Sequence, residues 1–312
     1  MRLVVTGASG FIGRNVLRRA ARSWDITAVY NRTRDLPAFV ARHGLANVTP
    51  VGCDLLDPDA ISAAAERSGR ADAVLYLAAN GDPARSAEHP RLDLELNTVA
   101  FVNFLERWPA DRVVYLSSGA VYDGMAGAVT PATPVNPMLP YAISKLASER
   151  YLSFFAGRRR AVASYANIRF FGAYGPYEAP RKITTRWLRA IMAGEREFTI
   201  RGDGRNLIDF MYVDDAVDGM LRVVTDASFS GTLDLASGTP VTIDQIAGSM
   251  ARALGVDMAV RHEGHVPEYI EFRSADPAMR DRFGFSPAVA FDDGIRRLRD
   301  FLISEPHADQ PA

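Results

Sequence analysis

The chain has 312 residues with 36 basic and 37 acidic side chains, a net charge of −1 and no long run of one sign, so nothing in it suggests a nucleic-acid groove or an anionic membrane surface. Its single cysteine, Cys53, leaves no internal disulfide to form, which fits a reducing cytosol, and no stretch approaches the ~20 apolar residues that cross a bilayer. The expected state is soluble and cytoplasmic, with enough chain for one large or two modest cores.

Leu3 to Thr6 reads as a short apolar strand that runs into Gly7-Ala8-Ser9-Gly10-Phe11-Ile12-Gly13 and a helix over 11–22. Strands follow at 26–30, 48–51, 73–78, 112–117 and 162–170, separated by helices at 36–43, 58–67, 92–107 and 140–156. Such alternation predicts a parallel sheet covered on both faces. Farther on come a helix near 184–193, a strand near 198–200, a strand-then-helix over 210–224, a strand at 233–236 and helices near 242–254 and 292–303. The expected class is α/β: a Rossmann-type doubly wound parallel sheet over 1–171 and 208–236, with a smaller mixed α/β substrate lobe over 172–207 and 237–312.

Two places carry chemistry. At the first, a strand, a glycine turn and a helix follow one another, with glycines where the backbone must turn tightly and approach a pyrophosphate, and the helix start offers free N–H groups to phosphate oxygens. At the second, Lys145 follows Tyr141 by four residues on a helix. It is one of only two lysines, the other being Lys182, in a chain that otherwise uses arginine. Residues i and i+4 share a face, roughly 6 Å apart, so the ammonium is expected to lower the phenol pKa from about 10. His262 and His265 lie three apart in a Gly/Pro-rich loop with no third ligand at a suggestive spacing, and no metal is expected. Asp214-Asp215 reads as a helix N-cap.

With Ser118 added, the chain resembles the extended short-chain dehydrogenase/reductase family, in its nucleotide-sugar epimerase, dehydratase and reductase branch, over nearly its whole length. Thr6 to Gly13 looks like that family's cofactor fingerprint, Asp54-Leu55 like its adenine contact, and Leu77-Ala78-Ala79 like the loop beneath the cofactor. Ser117-Ser118-Gly119-Ala120-Val121-Tyr122 is similar to its serine strand end and Pro140-Tyr141-Ala142-Ile143-Ser144-Lys145 to its catalytic helix. Tyr174-Gly175-Pro176 and Asp209-Phe210-Met211-Tyr212-Val213-Asp214-Asp215 look like its two substrate-lobe signatures. The resemblance implies that Ser118 holds the substrate oxygen, and the family spacing, four residues before Tyr122, selects it over Ser117. Tyr141 would pass a proton to or from a sugar hydroxyl or ketone, and Lys145 would hold the nicotinamide ribose. Implied cofactor contacts are Gly7, Ser9, Gly10, Phe11, Ile12, Gly13, Asn31, Arg32, Arg34, Asp54, Leu55, Leu77, Ala78, Ala79 and Asn97, besides Tyr141 and Lys145. Helices 92–107 and 140–156 would pack across a two-fold axis to make a homodimer.

The second strand ends Val29-Tyr30-Asn31-Arg32-Thr33-Arg34, with no carboxylate where NAD enzymes of this fold grip the ribose. Arg32 and Arg34 favour NADP over NAD. Gly119 and Ala120 occupy the place where dehydratases of the branch carry an acidic pair, and its decarboxylases also keep an acid in this loop. Epimerisation or net reduction of a ketosugar remains, with reduction slightly favoured. Gly172 and Ile208 stand where the motifs usually place an asparagine and an arginine on the nucleotide diphosphate. Arg181, Arg205 and Arg273 are the candidate replacements, with Ser118, Gly119, Tyr141 and Gly172 as further substrate contacts. Two alternatives stay open: a reductase of a non-nucleotide ketone or alcohol, and a non-catalytic cofactor-sensing protein on the same fold.

Overall fold

The computed structural model describes residues 1–33, 35–265 and 270–305, so Arg34 lies outside the described residues. Five strands, β1 (Arg2–Thr6), β2 (Asp25–Tyr30), β3 (Val48–Gly52), β4 (Ala71–Tyr76) and β5 (Ala110–Ser118), are joined by Ser164–Phe170 and Gly231–Leu235 in one sheet. All its pairings are parallel, and its order is Gly231–Leu235, Ser164–Phe170, β5, β4, β1, β2, β3. The chain leaves β1 toward β2 and β3 and resumes at β4 on the opposite side. The β1/β4 boundary is therefore the switch point at which open α/β sheets bind ligands. Leu3 and Val5 enter the core on one face of the sheet and Val4 the core on the other, which is why β1 reads as an unbroken apolar run.

The first helix runs Phe11–Arg19, shorter than the expected 11–22, because Ala20 takes an extended conformation at φ −58° and ψ 148°. The expected helix 92–107 is three pieces: Pro90–Leu94, a π-helical turn Glu95–Val99, and Ala100–Arg107. That turn carries Asn97, which is fully buried and donates to Ser144 Oγ of helix Pro140–Gly157 at 3.0 Å. Tyr212, not Asp214 or Asp215, is the N-cap of helix Val213–Thr225. The two acids lie in its first turn, where Asp214 pairs with Arg19 at 3.2 Å and Asp215 accepts the N–H groups of Ala288 and Val289.

A separate core holds Trp187, Phe198, Ile246, Met250, Ile295 and Leu298, drawn from helices Ile183–Met192, Ile243–Leu254 and Phe291–Ser304 and the strand Glu197–Arg201. Thr242 and Gln245 form a capping box at the start of Ile243–Leu254, and Gly255 closes it at φ +66°. Two short pairings tie distant parts of the chain together: Ala126–Val129 with Glu271–Ser274, and Leu207–Ile208 with Val241–Thr242.

Candidate active site

A cavity of about 1110 Å³ opens over the carboxyl ends of the strands and collects side chains from the loops after them and from residues 170–183 and 207–210. Its first arm is the glycine turn. Gly7 holds φ +64°, and a Cβ there would stand 2.9 Å from the Ala78 backbone nitrogen; at Gly13 it would stand 2.5 Å from the Gly7 carbonyl. Only glycine lets these backbones meet. Thr6 Oγ1 accepts the N–H groups of Leu77 and Ala78 at 3.1 Å each, which fixes the loop after β4 against the turn. The helix Phe11–Arg19 begins at Gly10 with no side-chain cap, so its first N–H groups are unspent at the cavity wall. The residues present fit a dinucleotide.

Gly7, Ser9, Gly10, Phe11, Ile12, Gly13, Asn31, Arg32, Asp54, Leu55, Leu77, Ala78 and Ala79 all line this cavity. Asn97 does not. Its Oδ1 accepts the Asn80 N–H at 2.6 Å and its Nδ2 donates to Asp93 at 3.0 Å, so it positions the loop after β4 from behind the wall. Arg32 is exposed and makes no ion pair among the described residues, whereas Asp35, three residues on, is gripped by Arg14 Nη2 at 2.7 Å to both oxygens.

Ser118, Tyr141 and Lys145 come together at the floor. Ser118 ends β5, and its Oγ also accepts the Ala120 N–H at 3.1 Å, capping the 3₁₀ turn Gly119–Tyr122. Ser117 points elsewhere, donating to Glu149 Oε1 at 2.6 Å inside the core. Helix Pro140–Gly157 starts with proline at its first position and is docked by Asp93, which accepts from Ser144 Oγ at 2.7 Å. Lys145, 4% exposed, donates to the Leu116 carbonyl at 2.9 Å, and its Nζ lies 5.9 Å from the Tyr141 ring centre.

The expected acidification of the phenol by that ammonium is not found. Burial raises the Tyr141 pKa, the Ser118 hydroxyl pulls it down, and Asp93 pushes it up again. Lys145 is itself lowered to about 8 by burial, with Asp93 and Glu149 working against that shift. Spacing sets how near the charge stands, whereas desolvation of both groups sets the direction of each shift.

The second arm is apolar and aromatic, with Phe171, Ile208, Phe210 and Phe272 beside Gly172. A Cβ at Gly119 would stand 3.1 Å from the Phe171 ring, so this position has no room for a carboxylate side chain unless that ring moves. Arg181 lines the arm and pairs with Asp82, in the loop after β4, at 2.9 Å. Arg205 lies in an adjoining depression, 3.7 Å from Asp203, and Arg273 lines neither hollow. Lys182, Glu178 and Asp82 also reach the cavity and were not singled out by sequence reasoning; the rarity of lysine was the one signal available, and it pointed to Lys182 as well as Lys145.

Residues 3–233 match the model of the NAD dependent epimerase/dehydratase family. The UDP-glucose 4-epimerase of Mycolicibacterium smegmatis is 28% identical over 316 residues, covering 97% of this chain and 98% of that protein. The dTDP-glucose 4,6-dehydratase of Streptomyces niveus is 28% identical over 312 residues, covering 95% and 90%. Among solved structures, MoeE5 in complex with UDP-glucose and NAD is similar with a TM-score of 0.84 at 25% identity, over 98% of this chain and all of that one. A match of this extent on a sheet of the same build makes the chain a member of the NAD dependent epimerase/dehydratase family, and an enzyme.

Proposed function

We propose that the chain is an NAD(P)-dependent nucleotide-sugar epimerase or 4-ketoreductase that works through Ser118, Tyr141 and Lys145. The observation that carries this is the meeting of those three side chains at the floor of one cavity whose far wall is the glycine turn. When bound, the dinucleotide supplies or takes the hydride. Ser118 Oγ holds the substrate oxygen, and Tyr141 exchanges a proton with it. Lys145 anchors the cofactor ribose from a fixed position against the Leu116 carbonyl. Burial raises the Tyr141 pKa and the Ser118 hydroxyl lowers it, so the serine is the group that eases proton exchange at the phenol. Gly119 and Ala120 bring no carboxylate to this loop, which speaks against the acidic pair of the dehydratases. MoeE5 was solved with NAD. The exposed Arg32 and the absence of a free carboxylate at the end of β2 favour NADP in this chain.

The test is a screen of UDP-, GDP-, CDP- and dTDP-sugars for protection against thermal unfolding with NADPH or NAD present, followed by turnover. Tyr141→Phe is expected to cut turnover by roughly 10²–10⁴-fold while dinucleotide binding survives. Full turnover by that variant would remove Tyr141 from the reaction, whereas a native chain that binds dinucleotide but turns over no sugar would support the cofactor-sensing reading instead.

A further inference from the structure

We propose that Lys182 is the residue that holds the substrate's phosphate groups, in place of the two positions where the resembling motifs carry polar grips. This inference rests on the nucleotide-sugar reading above. Both lysines of the chain line the same cavity, Lys145 in the floor and Lys182 in the substrate arm. A chain that meets nearly every need for positive charge with arginine has placed its two compact ammonium groups around one hollow. An ammonium is a point charge that can follow a phosphate as it settles, whereas a guanidinium imposes a planar fork.

Of the other cations beside Asp82 and Lys182 on the cavity wall, Arg181 is committed, whereas Arg85 is exposed and forms no ion pair among the described residues. Gly172 and Ile208 bring no charge. Arg181 is held by Asp82, with Nη2 to Oδ2 at 2.9 Å. Lys182 forms no ion pair or side-chain hydrogen bond among the described residues and is exposed to the cavity. Two acids also reach the arm. Glu178 is 5% exposed and accepts from the Thr184 and Thr185 hydroxyls at 2.5 and 2.8 Å, and burial pushes its pKa up to about 7. Asp209 is buried and accepts the Ser237 N–H at 2.6 Å, with its pKa likewise raised by burial. Lys182 acts on Glu178 through space, pulling its pKa down against the larger effect of burial, and makes no direct ion pair with either acid among the described residues.

The experiment compares native protein with Lys182→Met and Lys182→Arg, using the nucleotide sugar that the native chain turns over and, as binding probes, UDP and uridine. Lys182→Met is expected to raise KM and weaken UDP binding by roughly ten- to a hundredfold. Its kcat should stay within about threefold, because a uniform binding contact has been removed. Uridine and dinucleotide binding should be unchanged, which also shows that the variant folds, and Lys182→Arg should recover most of the loss. Unchanged KM and UDP affinity in Lys182→Met overturn the inference alone, as does a loss that falls on the dinucleotide. A native chain that binds neither UDP nor any other nucleoside diphosphate overturns the nucleotide-sugar reading and this inference with it.

Discussion

Glu149 lies one helical turn beyond Lys145, 3% exposed, and its carboxylate accepts Ser117 Oγ at 2.6 Å and Arg169 Nε and Nη2 at 3.0 and 2.9 Å. Ser117 precedes Ser118, so this buried pair fixes the end of β5 from beneath. Glu149→Gln keeps the shape and deletes the charge, leaving the Arg169 guanidinium buried without a carboxylate. Breaking one side of such a pair costs about 3–5 kcal/mol. At roughly 2–4 °C per kcal/mol for a domain somewhat smaller than this one, the melting temperature should fall by roughly 6–20 °C. Replacing both partners, Glu149→Met with Arg169→Met, removes both charges together. That double variant should be more stable than Glu149→Gln alone, although it also gives up the contact of Arg169 over the Tyr122 ring at 4.9 Å. Urea titrations read this as a shift of midpoint at constant slope. A Glu149→Gln cost below about 1 kcal/mol, or a double variant as destabilised as the sum of its singles, would refute the account of the pair as one electrostatic unit.

Arg32→Ser should weaken NADP binding by roughly tenfold or more and leave NAD within about twofold, as loss of a charge-assisted phosphate contact requires; equal losses for both dinucleotides in calorimetry would remove Arg32 from the 2′-phosphate. Asp234 is 2% exposed, accepts from Tyr122 and Ser274, and is raised by burial to about 7. Between about pH 4, its unfolded value, and pH 7 the native state holds the extra proton, so this group's contribution to stability declines as pH rises through that window. Asp234→Asn, which cannot ionise, should therefore gain on the native chain by on the order of 2–4 kcal/mol between pH 5 and pH 8, and a pH-independent gap in urea midpoints would contradict this. Ile143, Tyr151 and Phe154 are 47%, 45% and 47% exposed on helix Pro140–Gly157, near the exposed Leu94 and Val99. We expect this apolar face to be covered by a second copy. Phe154→Glu should shift a native dimer toward monomer in sedimentation velocity, and a native monomer at micromolar concentration would end that expectation.

The parts of the site that depend on local rules were legible from residue order. A glycine at positive φ, a helix start without a cap and an i, i+4 pair are consequences of neighbours in sequence, and Gly7, Gly10, Tyr141 and Lys145 all lie on the cavity wall. The alternation of strands and helices is of the same kind, since each strand buried on both faces announces itself as an apolar run. What was not legible is set by partners far away. The Arg181–Asp82 pair spans 99 positions, and the burial of Asn97 depends on a π-helical turn that no periodicity marks.

The phenol pKa belongs to the same class. Four residues of spacing put an ammonium beside Tyr141, but the direction of the shift was decided by burial of the phenol, with the Ser118 hydroxyl working against it. Nζ donates to the Leu116 carbonyl, on the strand that also carries Ser118, and the serine hydroxyl is the group that lowers the tyrosine pKa. Charge proximity and charge coupling are thus separate quantities here. A Ser118→Ala change, which leaves Lys145 in place, should push the Tyr141 titration further up and move the basic limb of the rate profile with it; a limb that moves instead only in Lys145 variants would return the tuning to the ammonium.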